Sequence, residues 1–478
     1  MYDKKQNTFD YMTFYHKKTT INATQFSWMG ILFILSFIGI NNYFDVLERI
    51  CYGDTALHLF KIIIGKTFFI PHHRYSLVFF EIFPLLGIWA QSSFKTVLYL
   101  FSYSHYAIIL MLTLLYYMKT KNILGTWVLT ISSVIGMSHS YYYYIIESYL
   151  GYTISLFSVL FYSYLFENKK SHIWIFTLIS SILIVGCHSY YFSIVFLGLL
   201  YIWIQNTSLY KNIIIQCSII IFVVMLYNMI YSPDGYELDR MHIFKQNLSH
   251  YKELDKAAFS MYFQNTFTYD YKLNLFLTFI IGISIYLKKY KELAVGVIAL
   301  IAGFYLNCIY SYEWQSSHYM DQYGRLIFYF GFTSLFFILN KSRISNFIIS
   351  IIFIAYFFIQ WNFITKISSQ YEFRIQWMTE ILKVMDAKKI NKLILNTKDI
   401  DYQYVLMDWA VAYESILLST FLNSPKSILI LDSTELKEKN LNSSLFISKF
   451  YSDSMSHIKG TYFNDIIQQD YNSSLIPK

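Results

Sequence analysis

Residues 45–91 read DVLERICYGDTALHLFKIIIGKTFFIPHHRYSLVFFEIFPLLGIWAQ. The stretch lies between two apolar runs, 27–44 and 96–118. Its own second half, 75–90, is also apolar, but it is broken by Glu81 and Pro84 and reaches only about 16 residues, where a spanning helix needs about 20. Whether that piece crosses a membrane decides the topology of all that follows. If it crosses, Lys119 and Lys121 face outward. If it does not, they fall on one side with Lys169, Lys170, Lys211, Lys288, Lys289, Lys291, Lys341 and Arg343, and the positive-inside rule makes that side cytoplasmic. The second arrangement is the one expected; its inversion after residue 90 is the alternative.

Composition agrees with a membrane protein. The 478 residues are 55% hydrophobic and 14% charged, against about 25% charged in an average soluble domain. Continuous apolar runs recur from Ser27 to Phe363, and continuity without alternation means helices. The 46 Tyr and 43 Phe, with five Pro, fit the codon bias of an AT-rich genome, so aromatic abundance is no functional signal. Net charge of +8 sits largely in short loops, where it sets topology. Cys51, Cys187, Cys217 and Cys308 show no CxxC spacing and are expected to be inert packing thiols.

The expected fold is an all-α polytopic membrane protein of about eleven spans: 27–44, 96–118, 122–137, 149–166, 172–187, 190–205, 212–231, 272–287, 292–310, 325–340 and 344–363. Residues 1–26, polar and Lys-bearing, form a cytoplasmic segment and no cleavable signal. Residues 27–365 form the membrane domain, with 45–94 as its first outer loop. Within that loop, 56–70 and 75–90 are expected to lie along or dip into the outer leaflet, the first as an amphipathic interfacial helix. Residues 366–478 carry many charges, the strand-like runs KLIL (392–395) and ILIL (428–431), and a helical pattern over 408–421. They are expected to form a small soluble α/β domain outside.

On this topology the acids, the histidines and most arginines of the membrane part gather on the outer side, where polar groups are functional candidates. Asp54, in GDTALH (53–58), is the first candidate for a catalytic carboxylate; helix capping is its plainer reading. Asp45 and Glu48 are rivals. Glu147 follows the tyrosines 141–144 and is either a second acid facing Asp54 or a solvated member of an aromatic belt. His72, His73 and Arg74 suit lipid phosphate, as do Arg240 and Arg325, because guanidinium forks match phosphate; snorkelling to headgroups is the alternative. His58, His139 and His318 are further candidates. A divalent cation (magnesium or manganese) held by Asp54 and Glu147 is a minor reading, and no metal-ligand spacing stands out.

One span, a long outer loop with an early acid, some ten further spans and an outward soluble domain together resemble the GT-C superfamily of integral-membrane glycosyltransferases. The resemblance is architectural and covers roughly residues 1–365. It implies a polyprenyl-phosphate-linked sugar donor, a glycan, lipid or protein acceptor, and an inverting transfer at the outer face of a bacterial cytoplasmic membrane, in cell-envelope polysaccharide synthesis. Asp54 would be the base, and Glu147 the second acid. Two other readings compete: a surface-polysaccharide polymerase using Arg240 in a large outer loop, and a lipid-linked glycan flippase or transporter. Nothing points to nucleic acid.

Overall fold

A computed structural model of the chain describes residues 22–471 apart from 138, 143–145, 270, 313–316, 341, 343, 401–404, 406, 433, 436–444, 450–451, 455–460 and 464–470. The side chains of 146–147, 265–269, 271–272, 317–323, 399, 445 and 452–454 also lie outside the description.

The first helix, α1 (Ala23–Phe44), starts at Asn22, whose side chain accepts from the Gln25 amide while Gln25 caps Asn22 in return, a reciprocal capping box. The first loop then folds into α2 (Val46–Ile50), α3 (Gly53–Gly65) and α4 (Val78–Trp89). The bundle continues through α5 (Phe94–Thr120), α6 (Ile123–Ser132), α7 (His139–Tyr142), α8 (Ile146–Glu167), α9 (Ile173–Val185), α10 (Phe192–Gln205) and α11 (Tyr210–Ile230). The expected outer loop after α11 is itself mostly helical: α12 (Gly235–Leu248) and α13 (Ala258–Tyr269). Then come α14 (Tyr271–Tyr286), α15 (Tyr290–Tyr310), α16 (Ser317–Leu339) and α17 (Asn346–Ala387).

Among the described residues six helices are long and apolar enough to cross a membrane: α1, α5, α8, α11, α15 and α17. The other five expected spans fall on apolar helical stretches of 10–17 residues. Helix α8 is the centre of the bundle, buried along most of its length. Close approach there depends on small residues: a Cβ at Gly198 of α10 would stand 2.5 Å from a methyl of Val159.

Helix α4 has 12 residues, about 18 Å at 1.5 Å per residue, which is too short for a hydrocarbon core of about 30 Å. It lies against α5, with Gly87 meeting Leu100 and Val97, and leaves Phe79, Leu86 and Trp89 exposed. Helix α3 departs from expectation. Its apolar face is not free for lipid: Leu59, Phe60, Ile62 and Ile63 are buried, and Phe60 stacks on Tyr413, Phe446 and Phe463. Of the face expected from amphipathicity (Leu57, Leu59, Phe60, Ile63, Ile64 and Phe68), the first four are buried, Ile64 is half-buried and Phe68 is exposed, and the C-terminal domain covers Phe60. Periodicity cannot tell one apolar partner from another.

That domain holds the expected strands. β1 (Lys392–Asn396) and β2 (Ser427–Leu431) pair in parallel, Lys392 opposite Ser427, with α18 (Val411–Phe421) as the crossover. β3 (Leu445–Ile447) and β4 (Ser452–Ser454) form an antiparallel pair. Helix α17 runs through the expected boundary at 366 without interruption, for 42 residues. Its far half packs on α18, and Lys426 pairs with Asp386 at 2.5 Å. Further contacts tie the domain to the turn before α5: Tyr462 donates to the Ser92 carbonyl at 2.6 Å, and the Lys95 ammonium sits 4.8 Å from the Phe421 ring. The first loop and the C-terminal domain therefore occupy the same end of the bundle.

Candidate functional site

Where α1 ends, the chain turns sharply through α2 and into α3, and this turn meets α7 and the middle of α17. Asp45, Glu48 and Arg49 come from the turn. Arg49 is buried, with its guanidinium 4.6 Å from the Tyr141 ring. The Tyr141 hydroxyl donates to Asn42 Oδ1 at 3.0 Å and also lies within hydrogen-bond reach of Asp45. Tyr142 stacks on Tyr371 of α17, ring centres 4.6 Å apart. His139 Nδ1 and the Tyr371 hydroxyl are 3.3 Å apart.

Burial pushes the carboxyl of Asp45 up to about 6; Arg49 and the Tyr141 hydroxyl pull it down, and Glu372 of α17 adds a small upward push. Burial pushes Glu48 up to about 7, against its own backbone amide, with Asp45 and Glu372 adding repulsion. The half-buried Asp45 and Glu48 and the buried Arg49 thus share a niche at the end of α1, with exposed Glu372 at its edge. Like charges drawn together away from water favour the protonated form.

The next turn is built around a buried ion pair. Arg374 of α17 donates through Nε to Glu414 Oε2 of α18 at 3.0 Å, and its Nη2 makes a second contact. Glu414 Oε1 accepts the Gly53 amide at 2.7 Å, and Arg374 stacks over Tyr52 at 4.8 Å. Gly53 has φ +50°, a left-handed conformation that a Cβ disfavours. Asp54 follows, half-buried in the first turn of α3. The capping reading of Asp54 does not hold, because Tyr52 is the cap residue and Asp54 lies inside the helix. There the helix dipole favours its negative charge.

A second group lies at the rim. His72 Nδ1 is 2.5 Å from Asp234 Oδ2, and Arg74 Nη2 is 2.9 Å from Glu237 Oε1. His72 stacks on Tyr236 and His73 on Tyr231, and Arg240 lies 4.9 Å from the Tyr236 ring. The carboxyl of Asp234 is held below its usual value: partial burial opposes this, and the Glu237 amide and the His72 imidazole outweigh it. Two of the basic residues expected to bind phosphate, His72 and Arg74, are thus joined by carboxylates to the start of α12, and a third, Arg240, lies on that helix. Their order along the chain gave no hint of these partners.

The remaining candidates scatter. His58 sits 3.3 Å from Glu81, whose other oxygen accepts the Phe69 amide at 2.7 Å; this buried set joins α3 to α4. Arg325 is fully buried inside the bundle, 4.4 Å from the Tyr149 ring and 5.2 Å from Tyr152, with Nε donating to the Ile135 carbonyl. It is no lipid-surface anchor. The side chains of Glu147 and His318 lie outside the described residues, so the pairing of Glu147 with Asp54 does too. Among the described residues no three His, Cys, Asp or Glu side chains gather as a metal site.

No family model, curated protein or solved structure matches the chain.

Sequence reasoning passed over Arg49, Glu372, Arg374 and Glu414. A signal existed for one of them. Glu414 is a lone carboxylate in the apolar helix VAYESILLSTF, and a buried acid there requires a cation. Arg49 was masked by the acids around it.

Proposed function

We propose that the protein is a membrane glycosyltransferase of GT-C type, moving a sugar from a polyprenyl-phosphate carrier to an acceptor hydroxyl at the outer face of a bacterial cytoplasmic membrane. About eleven spans would place the N-terminus inside and the C-terminal domain outside. The observation that carries the reading is the pair of carboxyls Asp45 and Glu48, held by burial near neutrality beside the Arg49 guanidinium. A general base works best with a pKa near the operating pH, and burial at the end of a membrane helix supplies it. Sequence pattern put Asp54 first; burial puts Glu48 and Asp45 ahead of it.

In the proposed reaction the acceptor oxygen attacks the anomeric carbon and its proton passes to Glu48. The bond from that carbon to the phosphate oxygen breaks, and the configuration inverts. Arg49 offers positive charge to the departing phosphate. The test is release of polyprenyl phosphate from a panel of labelled polyprenyl-phosphate sugars in proteoliposomes. Glu48→Gln should lower the rate about 100-fold or more, as loss of a general base does, and Asp54→Asn should lower it less. Full activity in Asp45→Asn, Glu48→Gln and Asp54→Asn alike would exclude the assignment.

A second reading, a lipid-linked glycan flippase, draws on Arg325, a cation in the bundle interior among Tyr149, Tyr152 and Tyr329. Intramembrane charge often marks a transport path. Movement of a fluorescent lipid-linked sugar across vesicles, without cleavage, would favour it.

A further inference from the structure

Helix α12 has a packed face, a polar face and two exposed apolar flanks, the smaller made of Tyr236 and Ile243. Glu237, Arg240, Phe244 and Asn247 point inward: Phe244 packs on Tyr310, and Asn247 donates to the Ile309 carbonyl at 2.9 Å. Asp239, His242 and Gln246 form a polar outer face. Between the two lies a stripe at spacing 3-4-3: Leu238, Met241, Lys245 and Leu248. Its apolar members are 53%, 49% and 43% exposed.

Three observations say what covers the stripe. Helix α12 lies across the last residues of α15 and begins four residues after α11 ends, so it sits at the bundle rim. Helix α11 presents a broad exposed apolar surface (Ile214, Ile221, Phe222, Met225 and Met229), the face a spanning helix turns to lipid, and α12 is the next helix in the chain. Lys245 within the stripe and Lys252 just beyond the helix are exposed, which suits anionic headgroups. We infer that α12 is a membrane-surface helix whose Leu238–Met241–Leu248 stripe rests at the headgroup–acyl boundary on the same side as the first loop. The His72–Asp234 and Arg74–Glu237 contacts hold its amino end to that loop, so the first loop and the lipid surface grip one helix from two sides. The inference does not depend on the catalytic reading.

The test uses the full-length protein with Cys217→Ser, since the other three cysteines are buried. Leu238→Cys, Met241→Cys, Asp239→Cys and Gln246→Cys are each labelled with nitrobenzoxadiazole and reconstituted in phosphatidylethanolamine–phosphatidylglycerol vesicles. Doxyl-labelled phosphatidylcholine should quench positions 238 and 241 several-fold more than 239 and 246, and aqueous iodide should show the reverse order. Iodide quenching at 238 and 241 equal to that at 246 would overturn the inference. So would protection of 238 and 241 from both quenchers, which would mark a protein partner or a second copy on the stripe. Labels at Phe222→Cys and Glu253→Cys calibrate the lipid and water limits.

Discussion

Glu48 Oε2 is shut away from solvent and has no hydrogen-bond partner among the described residues, which explains why its carboxyl prefers a proton. For folding the sign is clear. Asp45 and Glu48 have ordinary values of 3.8 and 4.5 and rise to about 6 and about 7 in the fold. Their contribution to stability is complete below the lower values and is lost as pH climbs through the higher ones. Melting temperature in detergent should therefore fall between about pH 4 and pH 7, and Asp45→Asn with Glu48→Gln should flatten that fall. Catalysis by Glu48 has the opposite slope, since only the carboxylate accepts a proton. The rate should rise to a plateau above about pH 7, and the rising limb should vanish in Glu48→Gln. Arg374 and Glu414 make a different case. Arg374→Ala leaves a buried charge alone and should cost about 3–5 kcal/mol. Replacing both partners by Met and Leu should recover most of it, measured by thermal unfolding.

At the scale of elements, α3 is the strut between the membrane bundle and the C-terminal domain. Phe60→Ala removes a ring packed on three aromatic partners and should cost about 3–5 kcal/mol. The loss should appear first as faster proteolysis after residue 387, ahead of any change in the bundle. The same helix shows how far sequence could reach. Its periodicity named Leu57, Leu59, Phe60 and Ile63 of the buried residues but missed Ile62 and took in exposed Phe68, and the KLIL and ILIL runs marked both parallel strands, because local apolar pattern encodes much of which face is hidden. Pattern does not encode which surface hides it. The Asp45–Glu48–Glu372 niche and the His72–Asp234 contact each join residues more than 150 positions apart, and only packing brings them together. Glu48 was visible as a candidate, but its burial was not.

For the whole molecule, sidedness follows from contacts already described. A cysteine at Gln91 and one at Lys398 should react with an impermeant maleimide from the same side of sealed vesicles, and cysteines at Lys119 and Lys169 only from the other. Labelling of cysteines at Lys66 and Gln91 from opposite faces would favour the inverted topology, since 75–90 lies between them. Helix α17 has a mechanical consequence. From Asn346 to Ala387 it holds neither glycine nor proline, the residues at which helices kink. It therefore acts as a stiff shaft about 63 Å long at 1.5 Å per residue, with lipid around one end and the β1–α18–β2 unit on the other. Rotation at one end is rotation at the other. One alanine inserted near residue 366 would turn the outer half by about 100° and carry Arg374 off Glu414. The docked domain is thus phased to the membrane like a hand on a dial.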